Sequence, residues 1–235
     1  MKLSRHVFAL LILSAWLSCS VFVASQGGFH ARPSEPPLLM LAAILGPPII
    51  FYALINGSRS VRDYVHHLSP VFLTSVQGLR ILGAAFLFLW WFGHLPSLFA
   101  WPAGWGDVAV AVLAPATAAA IASDRRFIRS HAFVGFHLLG LLDFVGAVGS
   151  GLIARGTFGM AASTPATTIL GELPLSLIPG FAVPLWICFH LAALEQRRST
   201  IGAESADDRG GKSSRSPRTG ESFSATCDLQ STALE

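Results

Sequence analysis

The chain has 235 residues, of which 52% are apolar and only 12% charged, and its mean hydropathy is +0.58. Soluble domains carry about twice that share of charge, so an ordinary water-soluble globule is excluded. A net charge of +3 and a pI near 9.1 would suit nucleic acid in a soluble protein. Here, however, the arginines stand between apolar runs, where membrane orientation accounts for them, and no nucleic-acid partner is expected.

A hydrocarbon core of about 30 Å takes about 20 apolar residues in a helix, because lipid offers no partner to an open backbone group. Six stretches come close to that requirement, at about 7–23, 37–55, 71–92, 107–122, 132–152 and 174–194. The expected fold class is all-α: a polytopic integral membrane bundle of six transmembrane helices over residues 1–194. Orientation follows from the basic residues, which collect in short cytoplasmic segments. Lys2, Arg5, Arg59, Arg62, Arg125, Arg126, Arg129, Arg197 and Arg198 fall on one side, whereas the other side holds only Arg32 and Arg155. Both termini are then cytoplasmic, the expected location is a cell membrane (the bacterial inner membrane), and the lipid bilayer is the first partner. Trp90, Trp91, Trp101 and Trp105 fall on the outer side, as an interfacial aromatic belt would.

The first span has a second reading. "MKLSRHVFALLILSAWLSCSVFVASQ" combines a charged start, an apolar run and a small-residue end, as a cleaved signal peptide does. Its apolar run is long for that purpose, which favours a retained helix. Residues 195–235 are rich in Ser, Gly, Arg and acidic residues and hold too little apolar surface for a core, so a disordered cytoplasmic tail is expected. Cys19, Cys188 and Cys227 have neither disulfide-framework nor metal-site spacing.

Ionisable residues inside spans are expensive and usually face the bundle interior. In the third span, a turn of about 100° per residue puts Gln77, Arg80, Gly83, Ala84, Trp91 and His94 on one face. In the fifth, Asp143 shares its face with Gly140, Gly146, Ala147 and Ser150, small residues that let another backbone approach. At about 1.5 Å per residue, Arg80 and Asp143 lie at heights of about 13 and 18 Å, within reach of a long arginine. Gln77, Arg80, His137 and Asp143 are thus the candidate ligand or proton site.

Gly104-Trp105-Gly106-Asp107 resembles the GxGD motif of intramembrane aspartyl proteases such as presenilins and prepilin peptidases. That resemblance would pair Asp107 with Asp143 as a catalytic dyad. The family places this aspartate near the cytosolic side and as the later of two, whereas here it is expected outside and comes first. With the fourth span opening at residue 107, Asp107 also stands about 12 Å from Asp143 in height, against the roughly 3 Å that proton sharing needs. The expected reading is an outer-loop turn built from Gly104, Gly106 and Asp107, with Asp107 as the helix N-terminal acid. The protease is kept only as a disfavoured alternative, and no catalytic residue is expected.

His137 and His190 lie at similar depths in neighbouring spans, a pattern that resembles the axial pair of membrane b-type cytochromes. A haem b redox subunit is therefore the alternative to a chain without a cofactor. The three prolines of the sixth span, Pro174, Pro179 and Pro184, and the "GPP" of the second would bend helices and open backbone carbonyls. The sequence thus leads to a non-enzymatic role in small-solute or proton permeation, or in membrane assembly with another membrane protein or a second copy.

Overall fold

The computed structural model describes residues 2–32, 34–157, 159 and 161–213, with side chains described from residue 6 to 202 outside the same gaps. Among the described residues the chain forms helices and no strand. They are α1 (Lys2–Ser25), α2 (Leu38–Gly57), α3 (Arg59–His67), α4 (Pro70–Ser75), α5 (Ala84–Trp91), α6 (Ser97–Ser123), α7 (His131–Ala154) and α8 (Val183–Ser213). A 3-10 segment, Val76–Gly83, joins α4 to α5, and a π turn, Ile178–Ala182, leads into α8. Six segments are long and apolar enough to cross a membrane: His6–Ser25, Leu38–Gly57, Pro70–Trp91, Ser97–Ser123, His131–Ala154 and Ile178–Gly202. The described residues up to Thr200 form one compact unit.

The starts of four helical segments are written locally. Ser58 accepts the amide of Val61, Ser69 that of Phe72, Asp124 that of Arg126 and Ser130 that of Phe133. Each satisfies a donor that the first turn leaves open, and Pro70 stands at a position where no donor is needed. These starts gather at the arginine-rich end. There α3, a helix between the expected second and third spans, buries Val65 in a cluster with Ile55, Leu73, Ile121 and Phe133. Arg62 closes the end of α2 by donating to the carbonyls of Ile55 and Asn56 at 3.0 and 2.9 Å.

α8 does not end where residue 194 was expected to close the bundle. It carries Gln196 to the α3 end, where the amide nitrogen donates to the carbonyls of Val65 and Leu68 at 2.7 and 2.8 Å. The expected disordered tail is therefore helical in its first part, to Ser213, and residues 214–235 of that tail, Cys227 with them, lie outside the described residues.

At the opposite end the α1–α2 and α7–α8 connections meet. The Ser34 amide donates to the Arg155 carbonyl at 2.9 Å, and the Arg155 guanidinium donates to the carbonyl of Ala31. α1 docks through backbone irregularity. Pro184 has no amide to offer the Gly180 carbonyl one turn back, and the Ser20 hydroxyl of α1 takes that place at 3.3 Å. Trp16 packs edge-on against Phe181 beside it.

The largest departure from expectation lies in α6, which starts at Ser97 and not at residue 107. "WPAGWGDV" is continuous helix, with Pro102 in its second turn, so the expected turn of Gly104, Gly106 and Asp107 does not exist. Asp107 therefore sits ten residues, or about 15 Å, further along its helix than the sequence reading placed it.

Because Gln196 satisfies two carbonyls at once, Gln196→Ala is expected to cost about 1–2 kcal/mol. Denaturant titration in mixed micelles measures this, with Ser199→Ala, whose hydroxyl bonds only within its own helix, as a near-neutral control.

Candidate functional site

The central residue is Arg80, whose side chain is fully buried. Its placement begins with the 3-10 segment. At three residues per turn, positions three apart eclipse one another, so Gln77, Arg80 and Gly83 form one line, and all three are buried. The face expected from α-helical periodicity holds only there: Ala84 is half-buried, while Trp91 and His94 are exposed.

Every side of the guanidinium is used. Nε donates to Asp107 Oδ1 at 2.7 Å, Nη2 donates to Asp143 Oδ2, and Nη1 donates to the Gly140 carbonyl at 3.2 Å and faces His190 Nε2 at 3.3 Å. The plane lies over the Phe144 ring, with Cζ 3.9 Å from its centroid, and Phe144 is itself stacked on Trp186. A buried charge survives only with hydrogen bonds and opposite charge around it, and Arg80 has both from α6, α7 and α8.

Glycine makes the convergence possible. A Cβ on Gly83 would land on the Asp107 carboxylate, one on Gly106 on the Asp143 carboxylate, and one on Gly140 on the His190 ring, 3.1 Å from Arg80 Nη1. Gly104 serves packing in the same way, against Leu87 at 2.6 Å. The two glycines of the GxGD string are thus close-approach positions inside α6, and Trp105 between them faces outward.

The expected pairing of Arg80 with Asp143 is present. Asp107, assigned to a turn by sequence, is the other carboxylate on the same guanidinium. That also removes the basis of the depth argument, since the aspartates share one arginine. Each spends one oxygen on Arg80, so the two carboxylates meet at one guanidinium. Gln77 is buried in line with the cluster but bonds elsewhere, its amide nitrogen 3.4 Å from the Trp186 carbonyl.

The histidines form a directed chain. Arginine only donates, so His190 Nε2 accepts from Arg80 and its proton stands on Nδ1. His190 Nδ1 is 2.8 Å from His137 Nδ1, which must then accept, leaving the His137 proton on Nε2. That nitrogen is buried and has no partner among the described residues. Phe133 and Phe136 hold the His137 ring edge-on. This geometry corrects the haem alternative: axial ligands stand on opposite faces of a macrocycle, whereas these rings touch, with centroids 5.1 Å apart. The described residues also hold no group of three or more His, Cys, Asp or Glu able to bind a metal.

On the other side of Arg80 lies a half-enclosed cavity of about 100 Å³. Asp107 and Asp143 line one part of it, α2 contributes Met40 and Ile44, and Phe86, Phe99 and Phe144 complete much of its apolar wall. Sequence reasoning had Gly83 on the Arg80 face and Gly140 on the Asp143 face, but missed Asp107, His190 and Gly106 as parts of the same centre. A usable signal was present: Ala100, Ala103, Gly104, Asp107, Val110 and Ala111 follow helical spacing without a break.

Fold and centre together define a class, a helical bundle of membrane-crossing dimensions built around a buried arginine shared by two aspartates. Within that class, the chain belongs to the family described as Domain of unknown function (DUF8737), which matches residues 37–197. The match includes every residue of the centre and leaves α1 outside. No curated protein and no solved structure matches the chain.

Gly106→Ala forces Asp143 away from Arg80 and is expected to cost about 1–3 kcal/mol. Gly146→Ala, whose added carbon would meet nothing within 4 Å, should be neutral or stabilise by up to about 1 kcal/mol through helix propensity. Thermal unfolding of the two variants in the same detergent distinguishes this account from a general intolerance of these helices to alanine.

Proposed function

We propose that the protein is a non-enzymatic integral membrane protein in which the Arg80, Asp107 and Asp143 centre takes up a proton or a small cation in a permease-like role. The observation that carries this reading is the charge count. One guanidinium faces two carboxylates, and the flanking histidines are neutral in the tautomers their bonds require, so a single negative charge is left over. In a low-dielectric interior such a charge is costly, and a proton or small cation relieves it. Asp107 and Asp143 also line a cavity, which gives an ion an approach from the end where Arg155 lies. The His190 and His137 pair lies on the far side of Arg80 from the cavity, and because the guanidinium keeps its proton, uptake and release at the carboxylates run through the cavity side.

The setting is a cell membrane, that of the bacterial inner membrane on the sequence reading. The arginine-rich end faces the cytoplasm by the positive-inside rule, with both termini on that side. α1 is retained as a helix in this reading, supported by the contact of Ser20 with Gly180 and of Trp16 with Phe181.

Proteoliposomes loaded with a pH-reporting dye and given a potassium diffusion potential test the role. Wild-type protein is expected to carry protons faster than empty vesicles, and Asp143→Asn, which removes the surplus charge while keeping the shape, to lower that rate at least about tenfold. Equal rates for wild type and a folded Asp143→Asn variant, with sodium as well as with protons, would refute the reading.

A further inference from the structure

Each aspartate of the centre gives Arg80 one oxygen and keeps a second, Asp107 Oδ2 and Asp143 Oδ1, that accepts no hydrogen bond among the described residues. Both side chains are only 8% exposed, and both line the cavity. Buried acceptors left open in this way call for a donor. Two carboxylates against one guanidinium call for a monovalent cation, since a divalent ion would leave a positive charge in place of the negative one. A bare metal cation does not suit the walls. Hard cations take a shell of about six or more oxygens, whereas Met40, Ile44, Phe86 and Phe99 present carbon and sulfur, and the Thr167 hydroxyl is turned to the Gly151 carbonyl at 3.4 Å.

An ion that carries its own apolar coat meets both conditions. We infer that the cation of the proposed function is a small secondary or tertiary alkylammonium, held by the two open carboxylate oxygens and by the rings of Phe86 and Phe99. Ammonium itself would bring four N–H groups to two acceptors, and each unmet donor is costly where it is buried, whereas one or two N–H groups are satisfied. Volume points to the same size. A cavity of about 150 Å³ holds benzene, so the cavity of about 100 Å³ here holds about four heavy atoms, the number in trimethylammonium. Phe86 and Phe99 meet edge-to-face at 5.2 Å, an arrangement that leaves ring surface for the cavity they line, and aromatic faces attract alkylammonium ions electrostatically. Phe144 has already given one face to Arg80. Arg155 lines the cavity too, but its guanidinium is directed to the Ala31 carbonyl and repels a cation only at that end, so the place of the ion is beside the carboxylates. The site rests on the charge count of the proposed function: the alkylammonium and a proton neutralise the same charge and therefore compete.

The test titrates the purified full chain in detergent by calorimetry. Four probes are compared: trimethylammonium chloride, sodium chloride, tetraethylammonium chloride and tert-butanol, the uncharged counterpart of trimethylammonium. Trimethylammonium is expected to bind saturably at one ion per chain, with an affinity that falls as the pH is lowered, and the other three to bind at least about tenfold more weakly. Asp107→Asn and Asp143→Asn, in each of which Arg80 and the remaining aspartate balance, should weaken trimethylammonium binding at least about tenfold. Any of the other three probes binding as tightly as trimethylammonium, or equal trimethylammonium binding by wild type and a folded Asp143→Asn variant, would overturn the inference. The proton flux of wild type against Asp143→Asn in vesicles decides the proposed function separately, so a protein that carries protons and binds no trimethylammonium loses the alkylammonium site alone.

Discussion

A guanidinium that cannot be reached by water must find all of its partners inside the protein, and Arg80 imposes that demand on four segments at once. The 3-10 segment carries it, α6 supplies Asp107, α7 supplies Asp143, the Gly140 carbonyl and the Phe144 face, and α8 supplies His190. No two-helix contact would satisfy the group. The interior packing is accordingly organised around polar contacts with small residues beside them: Gly83, Gly106 and Gly140 each stand where a methyl group would push a partner off the arginine. In a bundle whose helices are apolar on their outer faces as well, such contacts supply a specificity that hydrophobic burial alone does not.

The same irregularities that admit the centre also divide the interior into two unlike halves. Toward the Arg155 end, the π turn, the prolines and the α7–α8 connection leave a cavity with apolar walls. Toward the arginine-rich end, the interior closes around two histidines clasped between Phe133, Phe136 and Phe144. The departure from ideal helix at Val76–Gly83 carries Arg80 into this polar line, where an α-helix would have aimed different residues inward, and Ile178 and Pro179 of the π turn line the cavity. Helix geometry and charge placement are thus one arrangement. The surplus carboxylate stands where the two halves meet.

Much of the fold was legible because length and hydropathy are strong signals: a helix long and apolar enough to cross a membrane stands at each of the six expected stretches, most with ends displaced by only a few residues. The exceptions have physical causes. Residues 97–106 contain Trp101, Pro102, Gly104 and Gly106, which read locally as a turn, yet a proline early in a helix is tolerated and glycines are kept where backbones must approach. α3 was hidden because nine residues with two arginines and two histidines carry no spanning signal. The Arg80 and Asp143 pair was recoverable from depth alone. Asp107 was not, since the ruler was set against the wrong helix start, and the contact between His137 and His190 depends on a tertiary approach that spacing within either helix does not encode.

The central claim is that three charged groups share one site with one negative charge too many, so that the site holds an exchangeable proton. Infrared difference spectroscopy of the protein in lipid, titrated across neutral pH, reads protonated carboxyl groups directly. The account predicts one carboxyl band in the wild-type protein that is absent from both Asp107→Asn and Asp143→Asn, because in either variant the remaining aspartate and Arg80 balance. A wild-type spectrum without a protonated carboxyl in sodium-free buffer, or a band that persists unchanged in both variants, would contradict it.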